Sequence, residues 1–345
     1  MVKWRKFSCW VCLGLAAGLW ACQSRAAQPA NRVKLATLAP KGSSFHHTLQ
    51  QMGEKWREAP DGGVALTLFT DGSMGGEADM VRKMRIGQIQ AAALTAVGLA
   101  EINNDVSALQ LMPMMFRSWD EVEHALEKLR PRLERNFAEK GFVVLFWTDA
   151  GWVRFFSKAP LAYPDDLKRM KLFAWAGSPD WLDVMKDLGY KPVSLETAEI
   201  LPGLQTGLID AVPTIPVFAN AGQFYNQAPH MLEMDWAPIV GGGVITKKAW
   251  DKISPAAQQA LRKAAQEAGQ KIRVRSRKEN EEAVEAMKKR GLKVQPLTPE
   301  IEAAWRKGVG DLYPKIRGKL VPAEMFDEVQ KLLREYRASG AKASP

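Results

Sequence analysis

The fold is decided by an alternation of strands and helices that begins at VKLATL (residues 33–38) and ends at IQAAAL (residues 89–94). Between these strands the pattern predicts a capped helix at 43–58, the strand VALTLF at 64–69, and a second helix at 77–86. Short apolar strands that alternate with helices are typical of α/β proteins whose strands run largely parallel. We therefore predict an α/β fold.

In such sheets ligands gather at the carboxyl ends of the strands. The loops at 38–44 and 95–99 follow two of the predicted strands. Ser43 and Thr95 are therefore our first candidates for residues that contact a ligand.

The pattern continues toward a second lobe. A helix is predicted at 119–139, where Pro131 is expected to kink or split it, and a buried strand is predicted at 142–147. Asp149-Ala150-Gly151 reads as a loop through which the chain passes into the second lobe. The glycine-containing strand at 239–246 is predicted to be the return crossing.

Between the two crossings we predict strands at 152–157 and 171–175 and a helix at 178–188. A lobe inserted in this way makes a hinged clamshell. The predicted bounds are 32–150 plus about 240–253 for the first lobe and 151–239 for the second.

The last third of the chain is predicted to be helical. Ser254-Pro255 provides an N-cap followed by proline at the first helical position, and the pattern is unbroken until Gly291. A helix over 255–290 would be about 54 Å long, so we expect residues 254–291 to span both lobes. Two further helices are predicted within 292–337, where they would pack on the lobes, and a frayed tail at 338–345.

Composition limits the possible classes. The chain has 345 residues, which suggests two domains, and its 46% hydrophobic and 25% charged residues exclude general disorder. The formal charge of +10 would suit a nucleic-acid partner. The dense basic run at 273–278 is followed directly by glutamates, however, which is typical of a salt-bridged helix face.

The first 26 residues resemble a secretory signal peptide. Basic residues precede a run of about 15 mostly apolar residues, which is too short to span a membrane comfortably. Cleavage after Ser24-Arg25-Ala26 would release a soluble periplasmic protein, and this is the interpretation we favour. The alternative is lipidation of Cys22, although Trp20 is bulky for that motif.

Removal of residues 1–26 reduces the net charge to +6 and deletes all three cysteines, Cys9, Cys12 and Cys22. We therefore predict an exported protein without disulfides and without nucleic-acid binding.

No catalytic signature is convincing. The four histidines lack the spacing of metal ligands, and the glycine-rich segment at 72–76 lacks the Lys-Ser/Thr of a phosphate-binding loop. No nucleophile can be paired with a base. We predict no enzyme activity, no metal and no cofactor.

Several motifs resemble one family when they are taken in order: APKGS at 39–43, GGEADM at 75–80, LMPMMF at 111–116, SKAPL at 157–161, DLKRMK at 166–171 and, most specifically, LQTGLID at 204–210. They are similar to the solute receptors of tripartite ATP-independent periplasmic (TRAP) transporters, the DctP family. The resemblance covers about residues 32–300.

This resemblance implies a two-lobed clamshell of the periplasmic-binding-protein type with a long C-terminal helix across both lobes. It implies a receptor that closes over a small organic solute in the periplasm and delivers it to a membrane permease. A TPR-repeat periplasmic protein is a further partner that the resemblance admits. A ligand sensor for a signalling partner and, much less favoured, a secreted enzyme are the alternatives.

The chain departs from the family at one diagnostic position. The family places a carboxylate-binding arginine where this sequence has Phe173, and a phenyl ring cannot donate the two parallel hydrogen bonds of a guanidinium. We therefore expect a ligand with a substantial apolar body, with Arg154 as a candidate anionic anchor.

The candidate ligand-binding residues combine strand-end aromatic groups with a few polar ones. They are Phe173, Trp175, Trp152, Arg154, Phe156, Thr214, Phe116, Thr95, Ser43, Trp147, Trp236 and Gln223. The competing interpretation is that the rings form core between the lobes and that Arg154 faces solvent, because core and pocket aromatics look alike in a sequence.

Overall fold

The protein is described by a computed structural model that covers residues 31–176 and 179–340. The predicted signal peptide with Cys22, the start of the helix predicted at 178, and residues 341–345 of the predicted tail lie outside the described residues. No helix in the described ranges is long and apolar enough to cross a membrane.

Eleven strands are described. They are β1 Asn31–Thr37, β2 Val64–Phe69, β3 Ala91–Thr95, β4 Phe142–Trp152, β5 Arg154–Ser157, β6 Lys171–Trp175, β7 Lys191–Leu195, β8 Ala211–Thr214, β9 His230–Leu232, β10 Pro238–Thr246 and β11 Lys293–Gln295.

Twelve α-helices accompany them within the described ranges. They are α1 Ser44–Arg57, α2 Glu77–Arg85, α3 Ala96–Ala100, α4 Trp119–Glu139, α5 Pro164–Lys168, α6 Pro179–Asp187, α7 Ile200–Thr206, α8 Pro216–Ala221, α9 Lys247–Trp250, α10 Pro255–Lys288, α11 Pro299–Ile316 and α12 Ala323–Ala338. α4 continues through Pro131 as one element, so the predicted split does not occur.

Two separate sheets form the frames of the two lobes, which confirms the predicted α/β class. The first sheet has the order β2-β1-β3-β10-β4, and the second has the order β11-β9-β5-β8-β6-β7. β1 pairs in parallel with β2 and β3, whereas β10 is antiparallel to both β3 and β4. The exact bounds of the two lobes remain a prediction.

The chain passes between the sheets where β4 leads into β5 and where β9 is followed by β10. Asp149-Ala150-Gly151, which we expected to be a loop, lies inside β4, so that expectation is wrong. Ile239 pairs with Gly151 and Val240 with Asp149, which leaves Ala150 as the extra residue of a β-bulge. A bulge bends a strand without ending its pairing, and its sequence can therefore resemble that of a loop.

The long helix predicted across both lobes is α10. Its 34 residues give a length of about 51 Å. Ser254 caps its first turn by accepting a hydrogen bond from the Ala257 amide at 3.3 Å. Leu261 and Ile272 are buried in the core beneath the first sheet, whereas Met287 is buried in a core of the second lobe.

The last two helices pack differently on the lobes: α11 contributes Trp305 to a core of the second lobe and Ile316 to the core of the first, whereas α12 packs on the first. Trp305 of α11 is buried beside Phe155 of the second sheet, and its Nε1 donates to the Ala162 carbonyl at 2.7 Å. Phe326 of α12 packs into the core of the first lobe, and Arg337 pairs with Glu121 of α4 at 2.7 Å.

Candidate functional site

A cavity of about 210 Å³ lies between the two sheets. Its walls come from segments at or just beyond the carboxyl ends of β1, β3, β6 and β8, together with the bulged part of β4 and one face of α10. The loop at 38–44 contributes to the wall as we expected, and so does Thr95 at the end of β3. This placement agrees with the rule that α/β sheets bind ligands beyond their strand ends.

Two N-caps shape the wall of the first lobe. The Ser43 hydroxyl accepts from the His46 amide at 3.2 Å and donates to the Pro40 carbonyl at 2.7 Å, which fixes the start of α1. The Thr95 hydroxyl likewise accepts from the Val97 amide at 3.2 Å at the start of α3. Both residues therefore position backbone at the cavity wall as well as facing it.

Glu77, at the first position of α2, is a wall residue that our sequence analysis did not select. Its carboxylate accepts from the Thr95 amide at 2.6 Å, from the Thr95 hydroxyl at 2.6 Å and from the Gly98 amide at 3.0 Å. Burial raises the pKa of Glu77, while these hydrogen bonds oppose the rise. Glu77 belongs to the motif GGEADM, but a glutamate at a helix start gives no sequence signal that its partners lie about 20 residues away.

The floor of the cavity is backbone. Gly241 and Gly242 of β10 line it, and a Cβ on Gly241 would lie 2.3 Å from the Leu94 carbonyl oxygen. A Cβ on Gly242 would lie 2.5 Å from the Phe146 carbonyl oxygen. Glycine is therefore required for the close approach of β3, β10 and β4, and it also leaves the floor without side chains.

The wall of the second lobe is mostly apolar. Trp175 ends β6 and meets Phe173 in a T-shaped contact with centroids 4.8 Å apart. Ile215 and Phe218 continue this surface at the start of α8. Thr214, at the end of β8, is 3% exposed, and no hydrogen-bond partner for its hydroxyl occurs among the described residues.

α10 joins the two walls through Asn280. Its Nδ2 donates to the Ala150 carbonyl at 2.8 Å, and its Oδ1 accepts from the Val217 amide at 3.0 Å. Ala150 and Val217 both line the cavity, one in the crossing strand and the other in the second lobe. A single buried side chain therefore links a cavity-lining segment of the crossing strand to one of the second lobe.

Asp149 carries an ion-pair cluster behind the same wall. It is 3% exposed and lies 2.8 Å from Arg277 Nη2 and 3.4 Å from Arg273 Nε. Arg277 also pairs with Glu123 at 2.7 Å, and its guanidinium lies 4.4 Å from the centroid of the Trp119 ring. The basic run predicted to be a salt-bridged helix face is therefore paired in part across the fold.

Four of the twelve predicted residues line the cavity: Ser43, Thr95, Trp175 and Thr214. Their contact with a ligand remains a prediction. The other eight lie elsewhere: Phe173, Trp152, Arg154, Phe156, Phe116, Trp147, Trp236 and Gln223.

Packing accounts for the aromatic members of this second group. Phe156 and Phe173 are in the core of the second lobe, and Phe116 is in the core of the first. Trp152 packs on Trp119 with centroids 4.6 Å apart, and Trp236 packs on Trp305 at 5.6 Å.

The remaining three have their own polar partners. Trp147 donates to Glu134 at 3.1 Å, and Gln223 accepts from Asn226 at 3.4 Å in a turn with φ of 54°. Arg154 Nε and Nη2 each lie 3.3 Å from Asp235 Oδ1. Arg154 is therefore placed against a carboxylate and not on the cavity wall.

The part of the chain that the structure describes contains no candidate metal-binding site. No group of three or more His, Asp or Glu residues there is placed to hold an ion.

Comparison with known proteins places this architecture in a family. The model of bacterial extracellular solute-binding protein family 7, DctP, matches residues 35–319. The 2,3-diketo-L-gulonate-binding periplasmic protein YiaO of Escherichia coli K12 is 28% identical over 300 residues, which cover 83% of this chain and 88% of that protein. The C4-dicarboxylate-binding periplasmic protein DctP of Rhodobacter capsulatus is 21% identical over 78% of this chain and 80% of its own length.

A solved structure agrees with these relatives. The TRAP periplasmic solute-binding protein from Citrobacter koseri, with bound D-glucuronate, superposes with a TM-score of 0.77 at 25% identity. The superposition covers 88% of this chain and 99% of that one. The family match spans most of the chain and agrees with its two sheets and its long helix, so this chain belongs to the DctP family of bacterial extracellular solute-binding proteins.

Proposed function

We propose that this protein is the periplasmic receptor of a TRAP-type transporter. It binds a small organic solute between its two lobes and delivers that solute to a membrane permease. The observation that carries the proposal is the cavity between the two sheets, to which both lobes and α10 contribute wall residues. Membership of the DctP family supports the same role.

Solute binding in such a cleft requires no chemical reaction of the solute. A solute that contacts both lobes binds the closed form better than the open form, and it therefore shifts the equilibrium toward closure. Asn280 connects the crossing strand to α8 and lies where such a motion would be centred. The protein is accordingly a receptor and not an enzyme.

The solute has a substantial apolar body. Trp175, Ile215 and Phe218 face the cavity from one side, and Leu38, Ala93 and Leu94 face it from the other. A volume of about 210 Å³ is below the range of roughly 300–1,000 Å³ that is usual for drug-sized ligands, so the solute is small.

The proposed receptor is exported and acts together with membrane and periplasmic partners. Residues 1–26 direct the chain to the periplasm, where cleavage after Ala26 gives a soluble receptor; lipidation of Cys22 is the alternative anchoring mode. The permease is the obligatory partner, and a TPR-repeat periplasmic protein is an additional one.

Native mass spectrometry of the purified mature protein tests this function. We expect a species with one small organic molecule bound, which is lost on denaturation and can then be identified by its mass. The identified solute should bind the stripped protein at one site in calorimetry and should emerge unchanged. Chemical turnover of that solute by the purified protein would contradict the receptor role.

A further inference from the structure

The charged side chains on the cavity wall all have the same sign. They are Glu77, Asp149 and Glu279, and no lysine, arginine or histidine lines the cavity anywhere in residues 31–176 and 179–340. A carboxylate solute placed here would lose its hydration without gaining a positive partner. Transfer of an unpaired ion into an apolar site costs several kcal/mol or more, so this wall disfavours anions.

The arginines near the cavity already lie beside carboxylates of the protein, although Arg273 Nε makes no hydrogen bond within the described residues. Arg273 and Arg277 lie behind the wall and pair with Asp149, and Arg277 has Glu123 as a second partner. Arg154 of the second sheet is held by Asp235. Recruitment of Arg154 to a bound anion would leave Asp235 without its cation, and recruitment of Arg273 or Arg277 would leave Asp149 and Glu123 to share one arginine.

The three carboxylates on the cavity wall already have hydrogen-bond or ion-pair partners in the protein, so the cavity does not favour a cationic ligand either. Glu77 accepts three hydrogen bonds from Thr95 and Gly98 and lies at the N-terminus of α2, where a negative charge is favoured. Glu279 accepts from the Ser44 hydroxyl at 2.5 Å and lies 3.5 Å from Arg275. Asp149 forms ion pairs with Arg273 and Arg277.

The polar groups that remain available are hydroxyls. Thr214, Thr197 and Ser276 face the cavity, and none of their hydroxyl groups has a hydrogen-bond partner within the described part of the chain. Thr214 is the most buried of the three, at 3% exposure, and it adjoins the apolar surface of Trp175 and Ile215. A hydroxyl can both donate and accept, so it suits a neutral polar group such as a carbonyl, an amide or an alcohol.

We infer that the solute of this receptor is uncharged: a small organic molecule with a largely apolar body and a neutral hydrogen-bonding group that meets the Thr214 hydroxyl. This inference rests on the proposed function and specifies its substrate class. Phe173 alone excludes only the family arginine at that position, and other basic residues could still anchor an anionic solute. The inference goes further, because no basic residue within the described residues lines the cavity.

Probes matched in size and different in charge test the inference. Phenylacetamide, phenylacetate and phenethylamine share one aromatic body and carry a neutral, an anionic and a cationic group, respectively. We expect phenylacetamide to bind the stripped full-length mature protein at least tenfold more tightly than either charged probe in calorimetry. We also expect its affinity to be unchanged between low and high salt, because no ion pair forms.

Thr214→Val tests the assigned contact. Loss of one neutral hydrogen bond should weaken phenylacetamide binding about fivefold to tenfold. Thr206→Val is the matched control, because the Thr206 hydroxyl bonds the Pro202 carbonyl at 2.9 Å at the end of α7, outside the cavity wall. An equal affinity loss in both variants would overturn the Thr214 contact.

The outcomes separate the two proposals. Tighter binding of phenylacetate or phenethylamine, or a charged solute released from the purified protein, would overturn the uncharged class and leave the receptor function intact. Binding of none of the probes, together with no retained solute, would remove the cavity as a solute site and with it both proposals.

Discussion

The side chain of Asn280 lies directly against Gly151, at the bulge of β4 beside the cavity. Gly151 has a φ of 132°, and a Cβ at this position would lie 2.3 Å from Asn280 Nδ2. Asn280 can reach the Ala150 carbonyl and the Val217 amide because residue 151 has no side chain. The geometry of the crossing strand and the link between the lobes therefore depend on one glycine.

Gly151→Ala should destabilise the protein by about 2–4 kcal/mol, because it combines an unfavourable φ with a clash against a buried amide. The measurement is the free energy of unfolding from denaturant titration. Gly310→Ala is the control: Gly310 lies in α11, and a Cβ there meets nothing within 4 Å. The control should gain up to about 1 kcal/mol from helix propensity. An unchanged free energy of unfolding in Gly151→Ala would show that Asn280 can move away from residue 151 without a loss of stability.

Asn280→Ala should weaken solute binding about tenfold, since it disconnects two segments that line opposite sides of the cavity. It should also cost about 1–3 kcal/mol of unfolding free energy, because two backbone groups lose their partner. Binding is measured by calorimetry with the solute identified from the purified protein.

Asn136→Ala controls for the loss of a half-buried, hydrogen-bonding amide. Asn136 of α4 donates to Asp105 at 2.9 Å, within the first lobe. It should lower stability without changing affinity. Equal affinity losses in the two variants would mean that Asn280 acts through general stability alone.

Local sequence signals determined most elements of this fold. The strands at 64–69 and 171–175 were predicted with the bounds observed, because alternation and flanking turns mark short strands well. The Ser254 cap placed the start of α10 for a similar reason. The bulge in β4 could not be predicted, since it depends on pairing with β10, nearly 90 residues later.

The candidate site was less accessible to prediction. Phe173 and Trp175 share a face of β6, as alternation required, but only Trp175 reaches the cavity. Periodicity identifies the face of a strand and not the depth of each residue along it. The pairing of Arg154 with Asp235 joins residues 81 positions apart and leaves no local pattern.

Arg154→Ala should leave the affinity for the solute unchanged within about twofold, because the guanidinium contacts Asp235 and not the cavity wall. The effect on stability should be below about 1 kcal/mol, since the partner carboxylate is exposed. Calorimetry on the variant checks the first expectation and denaturant titration the second. A tenfold loss of affinity would instead identify Arg154 as a ligand contact in the closed receptor.

The pKa of Tyr313 gives a prediction for alkaline pH. Burial raises the pKa of Tyr313 to about 12, and its hydroxyl donates to the Pro113 carbonyl at 2.8 Å. A phenol whose pKa is higher in the folded state favours folding below its ordinary pKa near 10, and this contribution is lost as the pH rises toward 12. Stability should therefore fall across this range, and less steeply in Tyr313→Phe.

The phenolate absorbance follows the same group directly. Burial also raises the pKa of Tyr190 to about 12, so Tyr190 and Tyr313 should titrate together in the high-pH part of the absorbance curve. Tyr313→Phe should remove one tyrosine from that part. A loss from the early part would show that the hydroxyl is open to solvent.

Trp175→Ala should weaken solute binding far more than Lys171→Ala, although the two residues lie in the same strand. Trp175 is at the carboxyl end of β6 and lines the cavity, whereas Lys171 begins the strand, about 13 Å away, and its ammonium group bonds the Gly207 carbonyl. Removal of the indole exposes apolar solute surface, so affinity should fall about tenfold or more. Lys171→Ala should change it less than twofold. Calorimetry with the identified solute on both variants provides the comparison, and equal effects would place the Trp175 ring in the core of the second lobe and not at the ligand.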